Sequence, residues 1–492
     1  MTSETNPTAK IAWLPDLLYT GRRFVGGVAL VCDASGEIVR LSRAAELTDE
    51  KRIRLSDRAL MPGMINAHSH AFQRVLRGRT EYRTTVNSEA GGDSFWTWRE
   101  KMYLAATRLS PEDIFDASRM AFLEMALSGI TAVGEFHYLH HASDGTPYAD
   151  PNLLAKEVVR AARDLGLRIA MLRVAYARSG FQTEPNPQQA RFIEENPDAY
   201  LRNLNMLISA PAASAWVGVA PHSVRAVPLD YLREIIDYAK QLDLKVHMHV
   251  AEQPAEVSAC VEEYGRTPVA LLETEGFLSE NFTAVHAIHV TPKAIPAFAR
   301  TGAIVCACPT TERNLGDGVV PADEYFKHDV PICLGTDSHA QIDLLEDARE
   351  LEYHLRLQRL ERAVLVDRNP TVREGASPLD EGENSTLPHG RVSAIASRLF
   401  DCATANGAHS IGAPGGALEP GQPADFFTVD LNDPSIAGAS PDDLLSSIVF
   451  ALSRAAVREV VVGGKPIVSD GRHLIQEDVI EKFNELQKRL WS

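Results

Sequence analysis

The sequence predicts an α/β fold, a (β/α)8 TIM-like barrel with a small β-sandwich built from both chain termini. Three observations lead there. Between about residues 60 and 360, short apolar runs alternate with amphipathic helical stretches, and eight such runs can be counted. Segments with β character, bounded by turn residues, occupy both ends of the chain. Histidines and acids stand at the C-terminal ends of several apolar runs, where barrels of this kind carry their chemistry.

The elements follow in order. Val28-Ala-Leu-Val-Cys32 and Glu37-Ile-Val-Arg-Leu41 flank Asp33-Ala-Ser-Gly36, a hairpin signal. The first barrel strand is read as Ala59-Leu-Met61 running through a Pro-Gly break to His68-Ser-His70. Thr131–Glu135, Arg168–Arg173, Trp216–Ala220, Lys245–His249, Ala284–His286, Ala303–Cys306 and Ile332–Gly335 complete the strands. Pro111–Ser128 and Asn152–Leu165 carry apolar residues at helical spacing. Residues 367–391 are polar and rich in Pro, Gly, Ser and Glu, which predicts a loop or excursion. Strands return at Ala424–Asp430 and Val457–Val462, the latter followed by the turn Gly463-Gly-Lys-Pro466. From Val479 to Trp491 a helix is expected to dock through Ile480, Phe483, Leu486 and Leu490. The expected organisation is residues 1–60 and 395–492 in the β-sandwich, with its terminal helix, around a barrel at 61–394.

Composition narrows the function. Lys and Arg total 49 against 66 Asp and Glu, a net charge of −17, with no basic run, which argues against a nucleic-acid partner. An anionic substrate would need individual arginines inside a site. The start Met-Thr-Ser-Glu lacks a basic and apolar leader, and no segment reaches the ~18 apolar residues of a membrane span. A cytoplasmic protein with reduced thiols and no membrane partner is expected. The six cysteines show no framework spacing, and Cys306-Ala-Cys308 reads as a buried structural pair.

The chemistry lies in residues far apart in the chain. His68 and His70 are i and i+2 of a strand and so share a side, able to grip one cation. His249, His286 and Asp337 end later strands. Three neutral imidazoles plus one carboxylate suit Zn2+, or less selectively Fe2+, with one position open for water. Asp337 can ligate and also accept a water proton, and Glu252, three residues beyond His249, is placed to protonate a leaving nitrogen. Asp337 alone would equally suit a helix N-cap. His247 and His289 are read as barrel-interior or satisfied histidines rather than ligands, and Glu135-Phe-His137 with His140-His141 as surface or substrate-loop residues rather than a second metal site.

The motifs Met61-Pro-Gly-Met-Ile-Asn-Ala-His-Ser-His70, Gly335-Thr-Asp-Ser-His339 and Gly415-Gly-Ala-Leu-Glu-Pro-Gly-Gln-Pro-Ala-Asp425 resemble the amidohydrolase superfamily. Within it, five segments are similar to formimidoylglutamate deiminases. They are His70-Ala-Phe-Gln-Arg74, Asp93-Ser-Phe-Trp-Thr-Trp-Arg99, Glu135-Phe-His-Tyr-Leu-His-His141, Pro221-His-Ser-Val-Arg225 and Thr311-Glu-Arg-Asn-Leu-Gly-Asp-Gly318. The resemblance implies one zinc held by His68, His70, His249 and Asp337, with Glu252 and His286 working beside it. It implies that Gln73, Arg99, Tyr138, His222 and Arg225 face the substrate, and that the enzyme is a homodimer. Two carboxylates on N-formimino-L-glutamate match two arginine forks. Trp96 and Trp98 are expected to pack the loop. The competing readings are a superfamily deaminase of a purine, pyrimidine or triazine ring or of another formimino-amino acid, and a non-catalytic scaffold relative. An aromatic-ring substrate would favour stacking and amide donors over arginines. A scaffold would have lost its metal ligands, and here every expected ligand is present.

Overall fold

Eight parallel strands line a barrel in the computed structural model, which describes residues 10–82, 94–210, 214–366 and 390–492. In order they are Met64–Ser69, Ile130–His137, Arg168–Ala175, Ala215–Pro221, Val246–Val250, Phe282–His286, Ile304–Ala307 and Ile332–Leu334. Each of the later seven runs expected as barrel strands is one, and the first barrel strand begins beyond Ala59-Leu-Met61. Residues 83–93, including Asp93, and 367–389 of the polar excursion lie outside the described residues.

Closure joins the first strand to the eighth. The His70 amide donates to the Asp337 carbonyl at 3.1 Å, and the Asp337 amide to the His68 carbonyl at 3.0 Å. Gly335 makes this approach possible, because a Cβ there would lie 2.7 Å from the His68 Cβ and 2.9 Å from its carbonyl oxygen. Strand side chains such as those of Val133, Ile169, Val219 and Val285 are buried.

Helices cover the outside. Pro111–Leu127 starts with a reciprocal capping box between Ser110 and Asp113 and with proline in its first turn. Leu344–Arg359 is capped by Asp343, whose carboxylate accepts from the Leu345 and Glu346 amides. Asp343, rather than Asp337, is therefore the cap after the eighth strand.

The helices Gly390–Ala403 and Ala405–Ile411 close the N-terminal end of the barrel. Asn406 donates to the Ile332 carbonyl at 2.8 Å and the Trp216 indole to the Ile411 carbonyl at 2.6 Å. His247 Nε2 meets the Ser410 carbonyl at 3.0 Å, so this histidine is interior and partnered from below, as expected. His289 Nε2 likewise meets the Asp317 carbonyl at 2.8 Å.

Both chain ends build a nine-stranded sheet beside the barrel. They meet where Phe426–Asp430 pairs antiparallel with Lys51–Pro62, from Phe426 opposite Pro62 to Asp430 opposite Arg58. Trp13 packs edge-on against Phe426 with centroids 5.1 Å apart, at the centre of a separate apolar core with Leu30, Leu60 and Val461. Arg168 of the third barrel strand grips Asp425 through two bonds of 2.6 and 3.1 Å, tying sheet to barrel.

Two sequence expectations are corrected. Ala59-Leu-Met61 belongs to this terminal sheet, and the barrel strand starts only at Met64. The break at Pro62-Gly63 is where the chain changes sheets, and a Cβ at Gly63 would collide with Thr131 at 2.3 Å. In the last helix, Gln476–Trp491, the buried stripe is Val479, Phe483, Leu486 and Leu490, while Ile480 is 39% exposed. Spacings of four, three and four hold the stripe on one line, and Ile480 falls off it.

Candidate active site

The C-terminal ends of the strands carry a buried group of four donors. His68 and His70 leave the first strand, His249 the fifth, and Asp337 follows the eighth. His249 Nε2 lies 3.1 Å from His68 Nε2. Asp337 Oδ1 lies 3.4 Å from His68 Nε2 and 3.1 Å from His70 Nε2. One donor atom from each of the four residues falls within 4.8 Å of all the others. Ligands about 2.05 Å from a tetrahedral zinc stand roughly 3.3 Å apart, so the spacing suits a small divalent cation.

Orientation and protonation fit the same use. His70 Nδ1 sits 2.9 Å from the Phe136 carbonyl, a bond that places the ring hydrogen on Nδ1 and the Nε2 lone pair toward the cluster. Burial pushes His68 down to about 3 and, with neighbouring imidazoles, holds His249 well below the usual range. Both rings are thus neutral and free to donate lone pairs. Burial alone would raise Asp337, but the surrounding imidazoles of His68, His70 and His286 outweigh it and hold the carboxylate well below its usual range.

A second set of groups flanks the first. His286 ends the sixth strand with its Nε2 3.8 Å from Glu252 Oε1 and 3.9 Å from Asp337 Oδ2. Its Nδ1 faces Glu312 Oε1 at 3.3 Å. Burial opposes a charge on His286, yet Glu252, Glu312 and Asp337 raise it to about 10. Burial raises Glu252 in turn, against the pull of His286. The backbone is strained here: His286 has φ of 69° and Asp337 of 44°, both in the left-handed region that side chains avoid.

Above these groups lies a cavity lined by all five residues expected to face a substrate, Gln73, Arg99, Tyr138, His222 and Arg225. Gln73 Nε2 donates to the Tyr138 hydroxyl at 2.7 Å, while Gln73 Oε1 is buried without a partner among the described residues. Arg99 stacks over Trp96 at 4.4 Å, and its Nε and Nη1 are buried without hydrogen-bond partners among the described residues. Neither Arg99 nor Arg225 has a carboxylate in ion-pair range among the described residues. Burial disfavours charge on Arg225, but its polar neighbours, the phenols of Tyr176 and Tyr103 and the acids Glu256 and Glu252, outweigh it and shift the guanidinium upward. Two cations in one cavity, neither with a carboxylate in ion-pair range among the described residues, make a site for an anion.

Several placements depart from expectation. Glu135, His137, His140 and His141 are buried rather than at the surface. Glu135 supports the metal-facing turn by accepting from Ser69 Oγ at 2.5 Å and from the Ala71 amide at 2.8 Å. Trp98 lines the cavity instead of only packing the loop. Cys306 and Cys308 are buried and unbridged, but Cys308 stands past the strand end, its sulfur within 4.8 Å of donor atoms of His286 and Asp337. Glu312, Tyr103 and Tyr176 were not singled out from the sequence. Glu312 lay inside a motif, whereas the two tyrosines carried no local signal.

Comparison with known proteins fits this geometry. The amidohydrolase family profile matches residues 59–467. A formimidoylglutamate deiminase from Pseudomonas aeruginosa is 39% identical over 428 residues, 86% of this chain and 88% of that protein. A 5-methylthioadenosine/S-adenosylhomocysteine deaminase from Haloarcula marismortui is 26% identical over 93% of this chain and 90% of its own length. Among solved structures, an amidohydrolase from Brucella melitensis superposes with a TM-score of 0.82 at 31% identity, covering 99% of this chain and all of that one. An adenosine deaminase from Xanthomonas campestris with bound zinc shares the fold, with a TM-score of 0.79 at 22% identity over 99% of both chains. The chain belongs to the amidohydrolase family and is a hydrolase.

Proposed function

We propose that this protein hydrolyses N-formimino-L-glutamate to N-formyl-L-glutamate and ammonia, a step of histidine degradation. One observation carries the reading: four convergent metal donors open into a cavity that holds two guanidinium groups, neither with a carboxylate in ion-pair range among the described residues. A substrate with an amidine at one end and two carboxylates elsewhere satisfies both halves. The P. aeruginosa relative supports the same choice.

In this reading His68, His70, His249 and Asp337 hold one Zn2+, the neutral imidazoles and ionised carboxylate being the forms that ligate it. Bound there, the ion supplies Lewis acidity and brings the pKa of water toward 7, making hydroxide available as nucleophile. Arg99 and Arg225 clamp the carboxylates, and Gln73, Tyr138 and His222 orient the formimino group. Asp337 Oδ2 takes a proton from the attacking water. His286 Nε2 donates to the charge that develops at the reacting carbon's oxygen, and Glu312 at Nδ1 fixes the ring. Glu252, which burial shifts upward against the pull of His286, delivers a proton to the departing nitrogen. The proton held by Asp337 follows to the same nitrogen, and the hydroxyl hydrogen of the adduct returns to Glu252, so ammonia leaves with the equivalent of water's two hydrogens and the formyl carbon keeps its oxygen.

The test is ammonia release from N-formimino-L-glutamate, with chelated and zinc-restored samples and a parallel panel of adenine nucleosides. Turnover of the nucleosides but not of the formimino acid would replace this reading with the ring-deaminase one. Metal analysis decides zinc against iron. A cytoplasmic homodimer accompanies the reading by analogy with the family, and light scattering tests its size. Among the described residues no helix is long and apolar enough to cross a membrane.

A further inference from the structure

Gln189 lies behind the cavity wall, 1% exposed, in a segment between the third and fourth barrel strands. Its amide nitrogen is 2.7 Å from the Tyr103 hydroxyl and 2.6 Å from the Tyr176 hydroxyl. Both phenols line the cavity, and Gln189 does not. An amide NH2 has two hydrogens and no acceptor lone pair, so each phenol oxygen accepts one of them. Neither phenol can then spend its own hydrogen on Gln189.

Those hydrogens must be satisfied elsewhere. Burial keeps the Tyr103 hydroxyl protonated, with its pKa far above the usual value, so it remains a donor at any working pH. Arg99 lies over the Tyr103 ring at 5.5 Å, and Arg99, Arg225, Tyr103 and Tyr176 all line the one cavity. Tyr176 further stacks edge-on to His222 with centroids 4.6 Å apart.

We propose that Gln189 is a positioning residue that sets Tyr103 and Tyr176 as paired hydrogen-bond donors to a substrate carboxylate, completing the anion site of Arg99 and Arg225. This deepens the proposed function, because it names the groups that recognise a dicarboxylate. It does not depend on the chemistry at the metal.

The test is calorimetric binding of glutarate, a dicarboxylate without the reacting group, to the metal-loaded protein, with KM and kcat for N-formimino-L-glutamate measured alongside. Gln189→Glu is nearly isosteric but offers only acceptors, so it draws both phenol hydrogens away from the cavity. We expect it to weaken glutarate binding on the order of 100-fold, two donor bonds to a charged group. KM should rise in step, with kcat changed much less. Gln189→Leu, which leaves the phenols free to turn, should weaken binding by less than Gln189→Glu. A purely structural role predicts the reverse order, since glutamate keeps the shape and hydrogen bonds of the wall. Tyr103→Phe and Tyr176→Phe read the same point without altering Gln189, and each should weaken glutarate binding about tenfold. Unchanged affinity in both Phe variants, a Leu variant worse than the Glu variant, or no saturable glutarate binding by the unmodified protein overturns the inference. Phenol-dependent glutarate binding without formimino turnover would uphold it while rejecting the proposed substrate.

Discussion

Replacing Arg99 by methionine should damage activity and improve stability at once. Arg99 Nε and Nη1 are buried without partners among the described residues, so the folded protein bears their desolvation until an anion arrives. A carboxylate bound to both nitrogens makes two charge-assisted bonds of about 1.5–3 kcal/mol each, roughly 3–6 kcal/mol together. Loss of both predicts a fall in kcat/KM of about 10²–10⁴-fold. The stacking of Arg99 on Trp96 survives only as packing, and at this 36%-exposed tryptophan the cation contributes about 0.5–1 kcal/mol. Removing the unpaired donors returns about 1–3 kcal/mol, so the net stabilisation is about 1 kcal/mol. For a chain of 492 residues that is roughly 1 °C in Tm. The assay is ammonia release from N-formimino-L-glutamate and from derivatives carrying one carboxamide in place of a carboxylate. Arg99→Met should lose the preference for the dicarboxylate and melt slightly higher. If kcat/KM stays within about threefold of the parent, or Tm drops by several degrees, the guanidinium serves the fold and the anion-site argument fails.

Other predictions follow from the same geometry. Glu252→Gln should lower kcat by about 10³-fold or more with circular dichroism unchanged, and near-normal turnover would remove Glu252 from proton transfer. Arg225→Met should act mainly on KM, and an unaltered KM for N-formimino-L-glutamate would show that this arginine binds no carboxylate. Chelation should abolish ammonia release and lower Tm, since an ion at 100 times its Kd contributes about 2.7 kcal/mol to the folded state; equal melting with and without chelator would count against a bound metal. Glu194 should govern acid stability. Burial opposes its ionisation, but His140, Arg173 and Asn203 outweigh that and hold it at about 2, with Arg173 bonded through both nitrogens. A depressed carboxyl stabilises the fold above its unfolded pKa and loses that contribution as pH falls from about 4 toward 2, a change of about 3 kcal/mol. Glu194→Gln should lose much of this pH dependence and be less stable at pH 7, checked by denaturant unfolding across that range.

Much of the site was legible because strand ends announce themselves. The His68-Ser-His70 pair, His249, Glu252, His286 and Asp337 each close an apolar run. A barrel brings such ends to one rim whatever the distance along the chain. The anion site was less legible. Arg99 lies on the helix Phe95–Arg108 and Arg225 in a loop, and only family resemblance selected them from the other arginines. Gln189, Tyr103 and Tyr176 were invisible, because no local pattern records that three side chains from separate segments share one hydrogen-bonded cluster.

By itself the sequence determined the eight strands, the helices between them and the pairing of both chain ends in one β unit, since each follows from local periodicity and turn residues. The tertiary structure alone decided where Pro62-Gly63 hands the chain from one sheet to the other, and that Asp343 rather than Asp337 caps the helix after the eighth strand. It also decided that Glu135 and its neighbouring histidines lie buried under the site. Each of these depends on which surfaces meet across the fold. Those meetings set burial and hydrogen-bond partners, and these in turn set the protonation and charge on which the chemistry rests.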